Sequence, residues 1–279
     1  MSMVLLELFF VGLVPLAVAA AVAFVLGRMR LTPPVVWAAG VASGYIAGQL
    51  ILTSRAGVGH ALQALVSPHE ARDWLPHAVL LALGVTMLAI YAARSWRQWV
   101  IGLAALLVIG VPARLLSGPV AQQWSALEKF SHLALLAATL ALVWLLLAAA
   151  RDEEFPRLRQ VLVILSAVGA AITVTLSGSF TFGRLCGIVA AAVTGTALVS
   201  PRGLTGAAAV ITFSLGSLII LGVFYAELFP ANAALLLISI TAAAGRLPEV
   251  VSTRPAWQQA AARAMLCLAP LAIALVTSA

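Results

Sequence analysis

The sequence predicts an all-α, polytopic integral membrane protein of about ten transmembrane helices, on three observations. Apolar segments fill almost all of the 279 residues, and most reach the about 20 residues needed to cross a bilayer. Hydrophobic residues make up 63% and charged residues 9%, where a soluble domain carries roughly 25% charged. The mean hydropathy is +1.11. Finally, most basic residues fall singly or in small groups between the apolar runs, which sets membrane orientation rather than building a phosphate-binding face. The net charge of +7 therefore implies no nucleic-acid partner, and the lipid bilayer is the first partner expected.

The first span, Val4–Leu26, has no positive start and carries Glu7, so it reads as a retained helix rather than a removed signal. The second, Pro34–Leu52, carries Gly40, Gly44 and Gly48 at four-residue spacing. The loop Thr53–Trp74 holds Ser67-Pro68-His69-Glu70, a capping box with proline at the first helical position. It predicts a short helix along the interface before the third span, Leu75–Ala92. The fourth, Trp99–Val111, is short. The fifth, Ala126–Ala150, opens on a second capping box, Ser125 to Glu128.

The charged run Arg151–Arg159 divides the chain into a first helix group (1–150), a cytoplasmic linker (151–159) and a second helix group (160–279). Five helices on each side is an odd number, so the halves enter the membrane in opposite senses, as in inverted-topology repeats. The sixth span, Val161–Leu176, runs into a hydroxyl-rich stretch, Thr173 to Thr181, read as a helix end or a partly unwound segment. The seventh, Phe182–Val199, carries Gly183, Gly187, Ala191 and Gly195 on one face. The eighth is Leu204–Leu228, the ninth a short Ala231–Ala244 and the tenth Ala260–Val276. Trp37, Trp74, Trp96, Trp99 and Trp257 sit at helix ends, where indole favours the headgroup layer. Helix number, length and layout are similar to the drug/metabolite transporter architecture, a likeness of layout alone.

With the N-terminus outside, eleven of the 16 basic residues fall on the cytoplasmic side: Arg28, Arg30, Arg94, Arg97, Arg151, Arg157, Arg159, Arg202, Arg246, Arg254 and Arg263. Arg55, Arg72, Arg114, Lys129 and Arg184 fall outside. The bias places both termini on the outer side. The Arg-over-Lys, Ala-rich composition points to the inner membrane of a bacterium.

The glycine stripes Gly40, Gly44, Gly48 and Gly183, Gly187, Gly195 predict close helix packing, which drives association where lipid removes the hydrophobic effect. Packing within the chain is the first expectation, and a homodimer or another membrane subunit the second. Charged groups in membrane segments are costly and often functional. His77, His132, Arg184 and Glu227 all fall toward the outer side. With Ser177, Ser179 and Tyr225 they form a candidate polar vestibule, in which Arg184 and Glu227 would neutralise one another. Interfacial side chains reaching the headgroups account for the same residues without a site.

Cys186 and Cys267 lack metal-type spacing and read as small buried hydrophobes. No zinc, phosphate-loop, magnesium or haem pattern is present, so no cofactor or metal is expected. A serine nucleophile would need Ser177 or Ser179 within reach of His77 or His132. Three classes of function follow. A small-molecule transporter or permease component comes first and predicts a polar cavity among the sixth to ninth helices. A structural or assembly subunit comes second and predicts a dry interior. A membrane enzyme acting on a lipid or isoprenoid comes last.

Overall fold

The computed structural model describes residues 8–54, 57–91, 96–116, 124–150, 155–245, 251 and 253–278. Among the described residues it is 88% helical without strands. Among the described residues, nine helices are long and apolar enough to cross a membrane: α1 (Phe9–Arg28), α2 (Pro33–Ser54), α3 (Ala71–Tyr91), α4 (Gln98–Leu115), α5 (Ala126–Ala148), α6 (Pro156–Leu176), α7 (Phe180–Val199), α8 (Leu204–Tyr225) and α10 (Ala256–Ser278). Between the last two lies the shorter α9 (Pro230–Ala244). Each apolar segment read from the sequence coincides with one of these helices, nine of which are of spanning length among the described residues. The fourth is longer than its uninterrupted apolar run, because Pro112 is accommodated inside the helix.

The loop holds a short helix, Val58–Val66, but it precedes Ser67 rather than opening there as the capping box predicted. Ser67 ends that helix, and the box forms three residues later. There the Asp73 carboxylate accepts from the Glu70 amide at 3.1 Å, opening the first turn of α3. Carboxylates at both ends of the box replace serine and glutamate. At α5 the expected box is present, the Ser125 amide donating to Glu128 at 2.8 Å.

α8 is the axis of the bundle. Residues 207–222 are all buried, and its segments touch α2, α3, α4, α5, α6, α7 and α9. A helix that is apolar all round belongs in the middle of a large helical core. Its first turn seats on α2, where Gly203 and Gly206 bring backbone against the backbone of Pro33 and Pro34.

α1, α2 and α7 form one tight group. A Cβ on Gly44 would stand 2.7 Å from the Pro15 carbonyl and 2.8 Å from Ala192 Cβ, so α2 lies sandwiched between the other two. Gly40 faces Thr196, and Gly48 faces Ile188 and Pro15. Gly195 lies on the Leu16 carbonyl of α1, and Gly183 on Thr175 and Ala171 of α6. The α2 stripe is therefore used within the chain. Gly187 departs from expectation: the nearest atom to an added Cβ is Val11 Cγ1 at 3.7 Å, an ordinary contact. That stretch of α7 faces a side chain of α1 rather than its backbone.

α6, α9 and α10 form a second group, Gly169 of α6 closing on Leu271 of α10. α6 packs extensively along α9 and α10, while α1 makes no comparable contact with α4 or α5 among the described residues. The two helix groups therefore differ in packing. α6 begins at Pro156, so 156–159 of the expected linker is helix, while 151–154 lies outside the described residues, as does Glu7.

Bulk added at a backbone contact cannot be absorbed by a rotamer change. Gly44→Leu and Gly195→Ala should each lower the thermal midpoint in detergent by several degrees, a loss of roughly 1–3 kcal/mol. Gly187→Ala should leave it within a degree or so, because an alanine there adds little more than one Cβ where space exists. Equal sensitivity of Gly187 and Gly195 to alanine would contradict this packing.

Candidate functional site

The residues expected to form one outer vestibule are distributed among separate local structures. Ser177 donates to the Thr173 carbonyl at 2.9 Å, and Ser179 caps α7 by accepting from the Phe182 amide at 3.3 Å. The hydroxyl-rich stretch is a tight turn, with Gly178 in the left-handed region at φ +103°. Neither serine hydrogen-bonds a histidine among the described residues, so the nucleophile arrangement is not assembled. His132 stacks with Trp124 (ring centroids 4.5 Å apart), and both meet Phe224, joining α5 to the end of α8. Tyr225 donates to the Leu115 carbonyl at 3.3 Å, closing the end of α4.

Arg184 lies half-buried with its guanidinium 4.0 Å from the Phe180 ring centroid. Glu227 is exposed on the α8–α9 connection, in the left-handed region at φ 54°. No ion pair between Arg184 and Glu227 occurs among the described residues, and the expected pairing is corrected. Similar depth does not bring two side chains together when one lies along its own helix and the other points out from a turn.

His77 is placed differently. Its Nδ1 lies 3.1 Å from the Asp73 carbonyl, and its Nε2 lies 2.9 Å from the Leu65 carbonyl of the Val58–Val66 helix. It ties that helix to α3 and lines a cavity of about 260 Å³ between α3 and α4, together with Trp74, Leu81, Leu106, Gly110 and Arg114. Arg114, read as one of the outer basic residues, holds its guanidinium 4.9 Å from the Trp74 ring centroid.

Three polar arrangements deeper in the bundle escaped the sequence reading. The first surrounds the C-terminal end of α9. Arg159 and Arg263 are each 1% exposed. Arg159 Nη2 donates to the Ala244 carbonyl at 2.6 Å. Arg263 Nη1 donates to Gly245 at 2.7 Å and reaches Ala242 and Ala243 at 3.3 Å. The last carbonyls of a helix lack intrahelical partners and carry its negative dipole end. Two guanidiniums there allow a 15-residue helix, about 22 Å long, to end inside protein. The sequence clue was weak, since an arginine at a span end is ordinarily a solvated orientation signal.

The second is Ser166, Ser239 and Cys267, one each from α6, α9 and α10. The serine hydroxyls are 2.8 Å apart, and the thiol lies 3.3 and 3.4 Å from them. Cys267 is therefore a hydrogen-bonding partner and more than the apolar filler expected. The third is in α8, where Thr212–Gly216 is a π-helical turn at the helix midpoint. The Thr212 and Ser217 hydroxyls are buried without a hydrogen-bond partner, as is Thr173 on α6. Among the described residues, no group of three or more His, Cys, Asp or Glu is placed to hold a metal ion.

Comparison with protein-family models, with curated proteins and with solved structures found no match to this chain. The similarity of layout to drug/metabolite transporters gains no support from that search.

Because Arg159 and Arg263 converge on one set of carbonyls, each should matter and the two should couple. Arg159→Gln and Arg263→Gln should each cost on the order of 2–3 kcal/mol of stability in detergent, and the double variant less than the sum. An additive cycle measured by thermal unfolding would mean that the guanidiniums act on separate parts of the structure.

Proposed function

We propose that this chain is a multi-pass, small-molecule transport protein of a bacterial inner membrane. The observation that carries the reading is the π-helical turn Thr212–Gly216 in the enclosed central helix, with the unpartnered hydroxyls of Thr212 and Ser217. π-turns inside α-helices are frequent at functional sites. A buried hydroxyl without a partner costs about 1–3 kcal/mol, and such groups in a native core call for a reason. Irregular backbone at membrane depth is tolerated where protein encloses it or where it lines a polar path. A polar substrate or ion passing α8 would supply the missing partners. Transporter sites are commonly built at such discontinuities near the midplane.

A structural or assembly subunit is the second reading. It is favoured by the apolar enclosure of α8 and by the long exposed face of α5, where Leu127, Phe130, Leu135 and Leu145 are open.

Thiol accessibility separates the two. The native cysteines, both buried, are replaced by alanine, and single cysteines are placed at Thr212 and Ser217. Under transport, a membrane-impermeant thiol reagent should label one or both positions in intact cells or inverted vesicles. Val58→Cys, on the exposed side of the interface helix, serves as the positive control. Labelling of the control with neither α8 position reactive from either side would remove the transport reading and favour the subunit. A separate expectation concerns topology, both termini lying on the outer side. A reporter active only outside, fused after Ala279, should be active, and one inserted in the 151–154 segment silent.

A further inference from the structure

We propose that the small cavity between α2, the Val58–Val66 helix and the start of α3 binds one sodium ion, held by Gln49 Oε1, Thr53 Oγ1 and the Asp73 carboxylate. No residue of α8 takes part, and the site does not rest on the transport reading.

The cavity measures about 10 Å³, and its lining includes Gln49, Thr53, Ala61, Leu65, Asp73 and Pro76. A single water-sized particle needs roughly 10–15 Å³, so there is room for one and no more. Three elements supply the walls. Gln49 and Thr53 stand one turn apart near the end of α2, Ala61 and Leu65 one turn apart on the short helix, and Asp73 and Pro76 in the first turns of α3.

The polar side chains among the described lining residues offer acceptors. Gln49 is 5% exposed, and its Nε2 donates to the Arg72 carbonyl at 2.9 Å. That contact fixes which branch of the amide is nitrogen. The buried atom left without a partner is therefore the carbonyl oxygen, Oε1. Thr53 directs its hydrogen at the Gln49 backbone carbonyl, at 2.9 Å, so its Oγ1 has only lone pairs to give. The Asp73 side chain is 12% exposed. Its Oδ2 accepts from the amides of His69 and Glu70 at 3.4 and 3.1 Å, which leaves Oδ1 for an ion. Arg72 Nε stands 3.9 Å from Oδ1 but 2.7 Å from Glu70 Oε2, the more exposed carboxylate.

Three acceptors around one particle decide what it is. A water has two hydrogens and would leave one acceptor unmet, whereas a cation attracts all three. Burying a carboxylate without a close counter-charge is costly, and one carboxylate balances one positive charge. Calcium takes roughly 6–8 oxygen ligands and magnesium keeps several of its waters, so a space for one particle suits neither. A small monovalent ion meets both the size and the charge.

The test is saturable binding of radiolabelled sodium to the detergent-purified chain in choline chloride, read together with the thermal midpoint. Sodium should bind wild type saturably and raise the midpoint above its value in choline chloride of equal ionic strength. Asp73→Asn keeps an acceptor for the two amides and removes the charge, and should weaken sodium binding roughly tenfold. Thr53→Val removes one ligand with little change of shape. It should weaken binding several-fold, and it serves if Asp73→Asn lowers the midpoint in choline chloride. Thr139→Val, which removes a hydroxyl from α5, should bind as wild type does. The proposal is overturned if wild type binds no sodium saturably, or if the midpoint is the same in both salts, as for a cavity that holds water alone. It is equally overturned if potassium competes as well as sodium does, or if Asp73→Asn and Thr53→Val both bind as wild type does.

Discussion

In a bilayer interior there is no water to complete a hydrogen bond, so each polar group must find its partner within the protein. The described helices, nine of them long and apolar enough to cross a membrane, are arranged as that constraint requires. Hydroxyls on the helices are mostly turned back to their own chain, as Thr86 to Ala82, Thr196 to Ala192 and Ser214 to Val210. Where a helix ends inside protein, a neighbour completes it. Arg159 and Arg263 do this for α9. The Ser200 carbonyl after α7 accepts from Trp37 of α2 and Gln160 of α6, at 3.1 and 3.3 Å. Against that background the unpartnered hydroxyls of Thr212, Ser217 and Thr173 stand out, and two of them belong to α8, at its π-turn.

The second requirement is close approach. Lipid tails are as apolar as leucine side chains, so burial alone gives helices little reason to associate. The chain meets this with small residues at the crossings, Gly44 and Gly195 against the backbone of α1 and Gly169 against the Leu271 side chain of α10. These contacts gather α1, α2 and α7 on one side and α6, α9 and α10 on the other, with α8 enclosed between elements of both groups. α7 bridges the two groups, packing on α6 as well as on α1 and α2, so the packing crosses the division by sequence. Five helices on each side of a charged linker is a statement about connectivity. It does not specify which faces meet.

Much of the architecture was legible because its signals are local. Apolar run length located the spans, and the spacing of Gly40, Gly44 and Gly48 identified a packing face before any neighbour was known. The candidate vestibule was legible only as a depth. Arg184, Glu227, His132 and His77 do lie near helix ends, but a hydropathy pattern does not contain azimuth, so it could not say which of them face one another. His77 lines the cavity between α3 and α4, and its companion there is Arg114 rather than another vestibule residue. The deep polar groups were hidden for a related reason. Ser166, Ser239 and Cys267 are isolated small residues in apolar helices, and their meaning comes from three helices converging. Thr212-Phe213-Ser214-Leu215-Gly216-Ser217 is the exception, since three hydroxyls and a glycine in six residues of an apolar helix already mark a weak point in the α-helical ladder.

The buried arginines also bear on how the charge distribution is interpreted. Counting basic residues treats each as a group left behind on the side of the membrane where it is more easily held. Arg159 and Arg263 have a second reason for their position, because each completes the end of α9 inside the protein. If both are set aside as structural, the eleven residues assigned to the cytoplasmic side become nine, against five outside, and the bias keeps its sign. The orientation argument thus does not depend on them. Conversely, their burial does not need the orientation argument, since a helix whose carboxyl end is enclosed by protein is stabilised by cations there whichever way the bundle faces. The same sequence letters carry a topological signal at Arg28 or Arg202 and a packing role at Arg159 or Arg263, and burial is what tells them apart.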